Sequence, residues 1–240
     1  SGKTRVLTFR VAYLIQEKHI DPSNILMVTF TNKAAGEMKD RIQKLLAVSR
    51  QPRLNRGQPS AFSSALPHTS TFHSLCVRIL RRDGVHIGLS PDFVIYDDQD
   101  QLDAIKEGMI KLDISAKNTN PNAIRHTISE AKNELITPTE YGSFARGFFQ
   151  EIVARVYLEY QKLMQDNHAV DFDDLLVKTV RLFELHPSVL GKYQEQFRYV
   201  LIDEYQDTNK AQYLLGKQLS GRYRNICVVG DAAQSIYRWR

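Results

Sequence analysis

The sequence has 240 residues, 42% hydrophobic and 25% charged, which is typical of a globular protein with one large domain or two smaller ones. It contains neither an apolar run near the roughly 20 residues of a membrane-spanning helix nor a signal peptide, so a cytoplasmic protein without membrane partners is expected. The net charge of +5 favours a polyanionic partner without requiring one. Cys76 and Cys227 lie far apart in apolar surroundings, which favours core positions over a disulfide or a metal site.

The chain begins with SGKT (Ser1 to Thr4), which matches the end of the phosphate-binding pattern G-x-x-x-x-G-K-[ST]. In that pattern, backbone N–H groups and the lysine hold phosphates while the hydroxyl reaches Mg²⁺. The tetrapeptide SGKT also occurs by chance in proteins that bind no nucleotide. The phosphate-loop interpretation gains support from the apolar residues that follow at helical spacing, as a helix after such a loop requires: Leu7, Val11, Leu14 and Ile15.

Short apolar runs alternate with helical patterns through much of the chain. The run NILMVTF (24–30) predicts a strand buried on both faces, and a helical pattern follows it at Ala35, Met38, Ile42 and Leu45. Strands that alternate with helices indicate a parallel sheet, and therefore an α/β fold. Further candidate strands are TSTF ending at Phe72, FVIY (93–96), RYVLI (198–202) and NICVVG (225–230).

Between 97 and 170 the apolar residues recur only at helical spacing, as in Ile124, Ile128, Ala131 and Leu135. This predicts an all-helical subdomain inserted into an α/β domain whose two parts are 1–96 and 171–240. The stretch 49–67 is rich in Pro, Ser, Gly and Arg and has no periodicity, so it is expected to be a mobile surface loop.

Two carboxylates follow the candidate strand YVLI directly, at Asp203 and Glu204. Open parallel sheets bind their ligands at the carboxyl ends of strands. There, Asp203 can hold Mg²⁺ through its waters, and Glu204 can orient and deprotonate a water that attacks a γ-phosphate. The alternative is that both residues cap a helix beginning near Thr208.

The last candidate strand leads into DAAQSIYRWR, so a third loop converges on the same sheet edge. The Gln234 amide can hydrogen-bond a γ-phosphate or its water. The rings of Tyr237 and Trp239 can stack on nucleic-acid bases, although an isolated tryptophan is also a common core residue.

The chain contains, in this order, the six segments SGKT, VTFTNKAAGEM, STFHSLCVRILRR, DFDDL, LIDEYQDTNKAQY and VVGDAAQSIYRWR. Their sequence and order resemble the motifs of the UvrD/Rep/PcrA family of superfamily one DNA helicases. The resemblance covers nearly the whole chain except 49–67. The resemblance implies a RecA-like P-loop NTPase domain, called 1A, interrupted by the helical subdomain 1B. It also implies 3′ to 5′ translocation on single-stranded DNA and helicase activity, driven by ATP with Mg²⁺.

The resemblance assigns roles to individual positions. Phosphate binding is implied for Ser1, Gly2, Lys3 and Thr4, Mg²⁺ ligation for Thr4 and Asp203, base catalysis for Glu204, and γ-phosphate sensing for Gln234. The implied DNA-contacting positions are Phe30, Asn32, His73, Tyr237 and Trp239. From the residues alone, Phe30 fits a core position equally well, and His73 fits a helix start where its own backbone satisfies it.

The resemblance also implies partners and missing segments. Single-stranded DNA and junctions of single and double strands are the expected partners. Most of the phosphate loop would precede Ser1, and a second RecA-like domain of the same parent chain would follow Arg240. Two other interpretations stay open: a nucleic-acid-binding module that is catalytically incomplete, and the helicase subunit of a RecB/AddA-type helicase-nuclease.

Overall fold

The computed structural model describes residues 2–48 and 66–231, which form two compact units. Among these residues, the first unit comprises 2–48, 66–75, 186–208 and 216–231, and the second comprises 76–185 and 209–215. Most of the loop predicted at 49–67 lies outside the described residues.

The helices in chain order are α1 (Gly2–Gln16), α2 (Asn32–Val48), α3 (Phe72–Asp83), α4 (Asp98–Lys111), α5 (Pro121–Asn133), α6 (Pro138–Phe144), α7 (Phe148–Asp166), α8 (Phe172–Leu185), α9 (Pro187–Gln196) and α10 (Lys210–Ser220). The strands are β1 (Ile25–Thr29), β2 (His68–Thr71), β3 (Val94–Ile95), β4 (Ala169–Val170), β5 (Tyr199–Ile202) and β6 (Ile226–Val228).

The first unit contains a parallel sheet in the order β2-β1-β5-β6. All five residues of β1 are buried, as its continuous apolar run predicts. Thr29 of β1 pairs with Thr71 of β2, and Val28 pairs with Ile202 of β5, so these strands end at the same edge. The prediction of an α/β fold with a parallel sheet is confirmed.

Helices α1 and α2 pack on this sheet through their periodic apolar residues. Leu7, Val11, Met38 and Ile42 are almost completely buried in one cluster with Met27 of β1. Full burial of one such side chain contributes about 1.5–3 kcal/mol to folding. This packing holds the first turn of α1 beside the ends of the strands.

The candidate strand FVIY lies outside the main sheet, contrary to the sequence-based prediction. Its central residues form β3, which pairs in parallel with β4 in a separate two-stranded sheet of the second unit. An apolar run predicts that a strand is buried but does not determine which strand pairs with it, because hydrogen bonding between strands is decided by chain topology.

The second unit is mostly helical, and its core lies between α4, α5 and α7. Ile124, Ile128 and Val156 are among its completely buried side chains. The helical pattern predicted through Leu135 ends earlier, since Leu135 is left-handed with φ 62°. The Leu135 N–H donates to the Lys132 carbonyl and the Ile136 N–H to the Ala131 carbonyl, both at 2.8 Å, which satisfies the last carbonyls of α5.

A buried ionic cluster joins three helices of the second unit. Lys132 of α5 contacts Asp171 Oδ2 at 2.6 Å and Asp174 Oδ1 at 2.9 Å, with side chains only 2–3% exposed. The hydroxyl of Tyr160 on α7 donates to Asp171 Oδ2 at 2.8 Å. The segment DFDD explains the arrangement, because Asp171 also accepts from the Asp174 N–H at 2.7 Å and so caps the first turn of α8.

The charges of this cluster stabilise one another. Burial acts to lower the pKa of Lys132, but the carboxylates of Asp171 and Asp174 outweigh it and hold that pKa above its ordinary value. Burial acts in the opposite direction on Asp174, whose pKa is nevertheless lowered by Lys132. Lys132 and Asp174 therefore remain charged inside the fold, where an isolated charge would be strongly unfavourable.

Asp173 adjoins this cluster and should make stability depend on pH. Burial, and then the negative charge of Asp171, raise the pKa of Asp173 to about 6 from the ordinary 3.8. Between these values the folded chain binds a proton that the unfolded chain releases, so stability falls as pH rises from about 4 to about 6. Asp173→Asn should therefore raise the unfolding free energy at pH 7 by about 1–2 kcal/mol, with little effect at pH 4.

Urea unfolding at the two pH values measures this difference. Asp40→Asn, at an exposed position of α2, is the matched control and should change stability equally little at both. A stability increase that is the same at pH 4 and pH 7 would contradict the titration argument.

Both cysteines are free thiols. Cys76 is buried, which raises its thiol pKa to about 12, and Cys227 is half-buried. None of the helices described here is both long and apolar enough to cross a membrane.

Candidate functional site

Thr4 and Asp203 meet at the carboxyl edge of the sheet although 199 positions separate them. The Thr4 hydroxyl donates to Asp203 Oδ2 at 3.0 Å. Thr4 lies in the first turn of α1, and Asp203 directly follows β5, where its N–H donates to the Val28 carbonyl at 3.0 Å. Asp203 is only 2% exposed, and burial raises the pKa of its carboxyl above the ordinary value.

Lys3 and Glu204 form a second contact between the first turn of α1 and the residues that follow β5. Lys3 Nζ lies 3.1 Å from Glu204 Oε2, with the side chains 18% and 34% exposed. Glu204 has φ 50° and ψ 41°, a left-handed conformation that is uncommon for a residue with a side chain. This backbone geometry turns the chain sharply after β5, and strained residues of this kind cluster at functional sites.

Gln206 also contacts the Glu204 carboxylate, and the sequence analysis missed it. Its Nε2 donates to Glu204 Oε2 at 2.8 Å. This hydrogen bond, and then Lys3, lower the pKa of Glu204 below its ordinary value, so the carboxylate is held in the charged form. The available signal was the single amide within the acidic segment DEYQDT.

The alternative role of Asp203 and Glu204 as helix caps is wrong. No side-chain hydrogen bond from Glu204 caps the 3-10 turn Tyr205–Asp207 that follows it. The first turn of α10 is capped instead by Asn209, whose Oδ1 accepts from the Gln212 N–H at 2.8 Å, while Gln212 Oε1 accepts from the Asn209 N–H at 3.1 Å. The two acidic side chains instead contact Thr4 and Lys3 of α1.

Phe30, Asn32 and His73 follow the neighbouring strands β1 and β2. Phe30 is half-buried, and its ring packs edge-on against buried Phe72 with centroids 6.0 Å apart. Asn32 is exposed at the first position of α2. His73 is partly buried near the start of α3, and burial lowers its pKa. The adjacent strand ends bring these residues to one edge of the sheet, and a DNA-contacting role stays a prediction.

One further predicted site residue, Gly2, lies in the described part of the chain. Gly2 is exposed at the start of α1. Ser1, Gln234, Tyr237 and Trp239 lie outside the described residues, so their roles also stay predictions.

The residues at the sheet edge fit a magnesium-bound nucleoside triphosphate. Thr4 and Asp203 offer a hydroxyl and a carboxylate, the oxygen ligands that Mg²⁺ prefers. Lys3 adds a cation in the first turn of α1, and the N-terminal turn of a helix favours phosphate. The arrangement therefore combines oxygen ligands for a hard cation, a cation for phosphate and a carboxylate that can accept a proton.

Comparison with known proteins identifies the family. The family described as UvrD/REP helicase N-terminal domain matches residues 1–240. The chain belongs to the UvrD/Rep helicase family. Membership accounts for the RecA-like character of the first unit's sheet, with helix α1 and the acidic pair after β5.

Individual UvrD/Rep proteins are similar over the entire chain. The ATP-dependent DNA helicase PcrA of Bacillus subtilis is 50% identical over 240 residues. The helicases of the same name from Staphylococcus aureus and Staphylococcus epidermidis are each 48% identical over 240 residues. This chain spans 31% of the length of each of these relatives.

Proposed function

We propose that this chain is the ATP-binding part of an ATP-dependent DNA helicase that translocates along single-stranded DNA from 3′ to 5′. The observation that carries the proposal is the double contact of Lys3 with Glu204 and of Thr4 with Asp203 at the carboxyl edge of a parallel sheet. The naming of similar proteins as ATP-dependent DNA helicases supports the same activity.

The proposed mechanism gives each contact residue one task. Thr4 and Asp203 would hold Mg²⁺, and Ser1, Gly2 and Lys3 would bind the phosphates. ATP would supply the phosphoanhydride bond, and Mg²⁺ would neutralise charge on the phosphate oxygens. Glu204 accepts the proton of the attacking water on its carboxylate, for which the ionised form is required. Gln234 senses the γ-phosphate.

The Lys3 ammonium lies 3.1 Å from the Glu204 carboxylate. Phosphate oxygens compete with Glu204 for the Lys3 ammonium, because an ammonium is a mobile point charge that binds either anion. We propose that nucleotide binding moves Lys3 to phosphate and leaves Glu204 available to the water. The hydrogen bond from Gln206 remains to orient it.

DNA is the proposed partner of Phe30, Asn32 and His73 at the sheet edge, and Tyr237 and Trp239 are proposed as further DNA-contacting residues. Aromatic rings stack on any base, which suits translocation without sequence preference. We propose in addition that 97–170 forms the inserted subdomain 1B between the two parts of domain 1A. A second RecA-like domain of the same protein and junctions of single and double strands complete the proposed set of partners.

Loss of the Lys3 cation should abolish most ATP hydrolysis. In the full-length gene product, Lys3→Met should lower DNA-stimulated turnover by about 10²–10³, the usual effect of removing one group that stabilises the transition state. Lys39→Met, at an exposed position of α2, removes the same charge and should leave turnover unchanged.

Phosphate release with and without single-stranded DNA measures turnover, and strand displacement on substrates with 3′ or 5′ tails measures direction. Wild-type protein that binds DNA but shows no ATP hydrolysis would favour the catalytically incomplete nucleic-acid-binding module. Nuclease activity of the same gene product would favour the RecB/AddA-type helicase-nuclease.

A further inference from the structure

We propose that Gln206 is a positioning residue that fixes the Glu204 carboxylate and couples it to the peptide of Asp231. This inference rests on the proposed role of Glu204 as the base. Gln206 lies in the 3-10 turn Tyr205–Asp207, between the ends of β5 and β6. Its amide makes three hydrogen bonds, and each side of the amide has its own partners.

The nitrogen side of the amide faces carboxylates. Nε2 donates to Glu204 Oε2 at 2.8 Å and to Asp207 Oδ2 at 2.9 Å. The oxygen side faces the chain after β6, where Oε1 accepts from the Asp231 N–H at 2.9 Å. Because a backbone N–H can only donate and an ionised carboxylate can only accept, these partners determine the orientation of the amide.

Gly230 shows that the chain after β6 approaches Gln206 closely. A Cβ on Gly230 would lie 2.6 Å from Gln206 Oε1 and 3.1 Å from Gln206 N. Any larger residue at this position must displace the amide, the backbone or both. The absence of a side chain at Gly230 therefore permits the hydrogen bond between Gln206 and Asp231.

The hydrogen bonds that link Glu204 through Gln206 to Asp231 form a bridge. This bridge holds the Glu204 carboxylate at a second point, besides its contact with Lys3. The proposed function has Lys3 exchange Glu204 for phosphate, whereas the Gln206 amide is held in place by Asp207 and by the Asp231 N–H. Gln206 therefore keeps the carboxylate oriented after Lys3 has moved. Asp231 is the first residue of the segment DAAQSIYRWR, which contains Gln234. Because the planar Gln206 amide is hydrogen-bonded to Asp231 on one side and to Glu204 on the other, a displacement of Asp231 also displaces the Glu204 carboxylate.

Two substitutions separate the two sides of the bridge in the full-length gene product. Gln206→Met has a similar length and removes every hydrogen bond, whereas Gln206→Glu keeps an oxygen for the Asp231 N–H but replaces the donor to Glu204 with a repelling carboxylate. Both should lower kcat about 10- to 100-fold with little change in KM for ATP, since misplacement of a reacting group by about 1 Å can cost about 10² in rate. The control Gln99→Met removes a similar 2.9 Å hydrogen bond to Asp103 on exposed α4 and should change neither constant.

Hydrogen exchange of the nucleotide-free protein tests the bridge without relying on hydrolysis. The Asp231 amide should lose protection in Gln206→Met and keep it in Gln206→Glu. Unchanged protection in Gln206→Met would overturn the bridge even if the proposed ATPase is correct. Lost protection in a protein that never hydrolyses ATP would instead refute the proposed function and leave the bridge in place.

A double substitution tests whether Gln206 acts through Glu204. Once Glu204→Gln has removed the base, adding Gln206→Met should cost less than about threefold more in kcat, because residues that act as a unit are not additive. A further 10- to 100-fold loss would mean that Gln206 acts by another route. A kcat of Gln206→Met within threefold of the wild type would equally overturn the proposal.

Discussion

Glu204→Gln in the full-length gene product should lower the rate of ATP hydrolysis about 10²–10⁴-fold, because an amide cannot accept the proton of the attacking water. This range corresponds to about 2.7–5.4 kcal/mol of barrier height. Affinity for Mg²⁺–ATP should be retained or increased. The reason is that Lys3, which lies 3.1 Å from Glu204 Oε2, no longer has a carboxylate that competes with phosphate.

Single-turnover phosphate release and equilibrium binding of a fluorescent ATP analogue separate these two effects. Glu107→Gln is a matched control, since Glu107 also pairs with a lysine, Lys111, at 3.1 Å, but on the exposed surface of α4. It should alter neither measurement. Turnover of Glu204→Gln within about threefold of the wild type would show that another group is the base.

Lys132→Met should destabilise the second unit by about 3–5 kcal/mol, the usual cost of removing one partner from a buried ion pair. The substitution leaves the carboxylates of Asp171 and Asp174, each 3% exposed, without the cation that both contact. Methionine matches the lysine stem in length, so the lost charge rather than a cavity accounts for the effect.

Hydrogen exchange of peptides from α5, α7 and α8 measures the local opening free energy of this unit. The control Lys106→Met removes an exposed ion pair with Asp103 and should cost less than about 1 kcal/mol. Tyr160→Phe is a milder variant that removes only the hydroxyl bond to Asp171, with an expected cost of about 1.5–3 kcal/mol. Equal protection in Lys132→Met and the wild type would contradict the argument.

Much of the candidate site could be predicted because its residues lie at places that general rules specify. Lys3 and Thr4 precede a helix with regular apolar spacing, and Asp203 and Glu204 follow an apolar strand. Parallel strands bring their carboxyl ends to one edge, so the proximity of the two pairs follows from local patterns. The burial of β1 and of one face of α1 follows in the same way, since the period of apolar residues reveals which face turns inward.

The sequence by itself therefore determined the parallel sheet, the edge that carries the site and the residue types available there. Only the tertiary structure decided that β3 pairs with β4, that Gln206 joins Glu204 to Asp231, and that Lys132 is buried between two carboxylates. Periodicity reports the environment of a residue within its own element. These three features instead depend on which distant segments meet, 39 positions apart for Lys132 and Asp171, and the local pattern around a polar side chain does not reveal its distant partner.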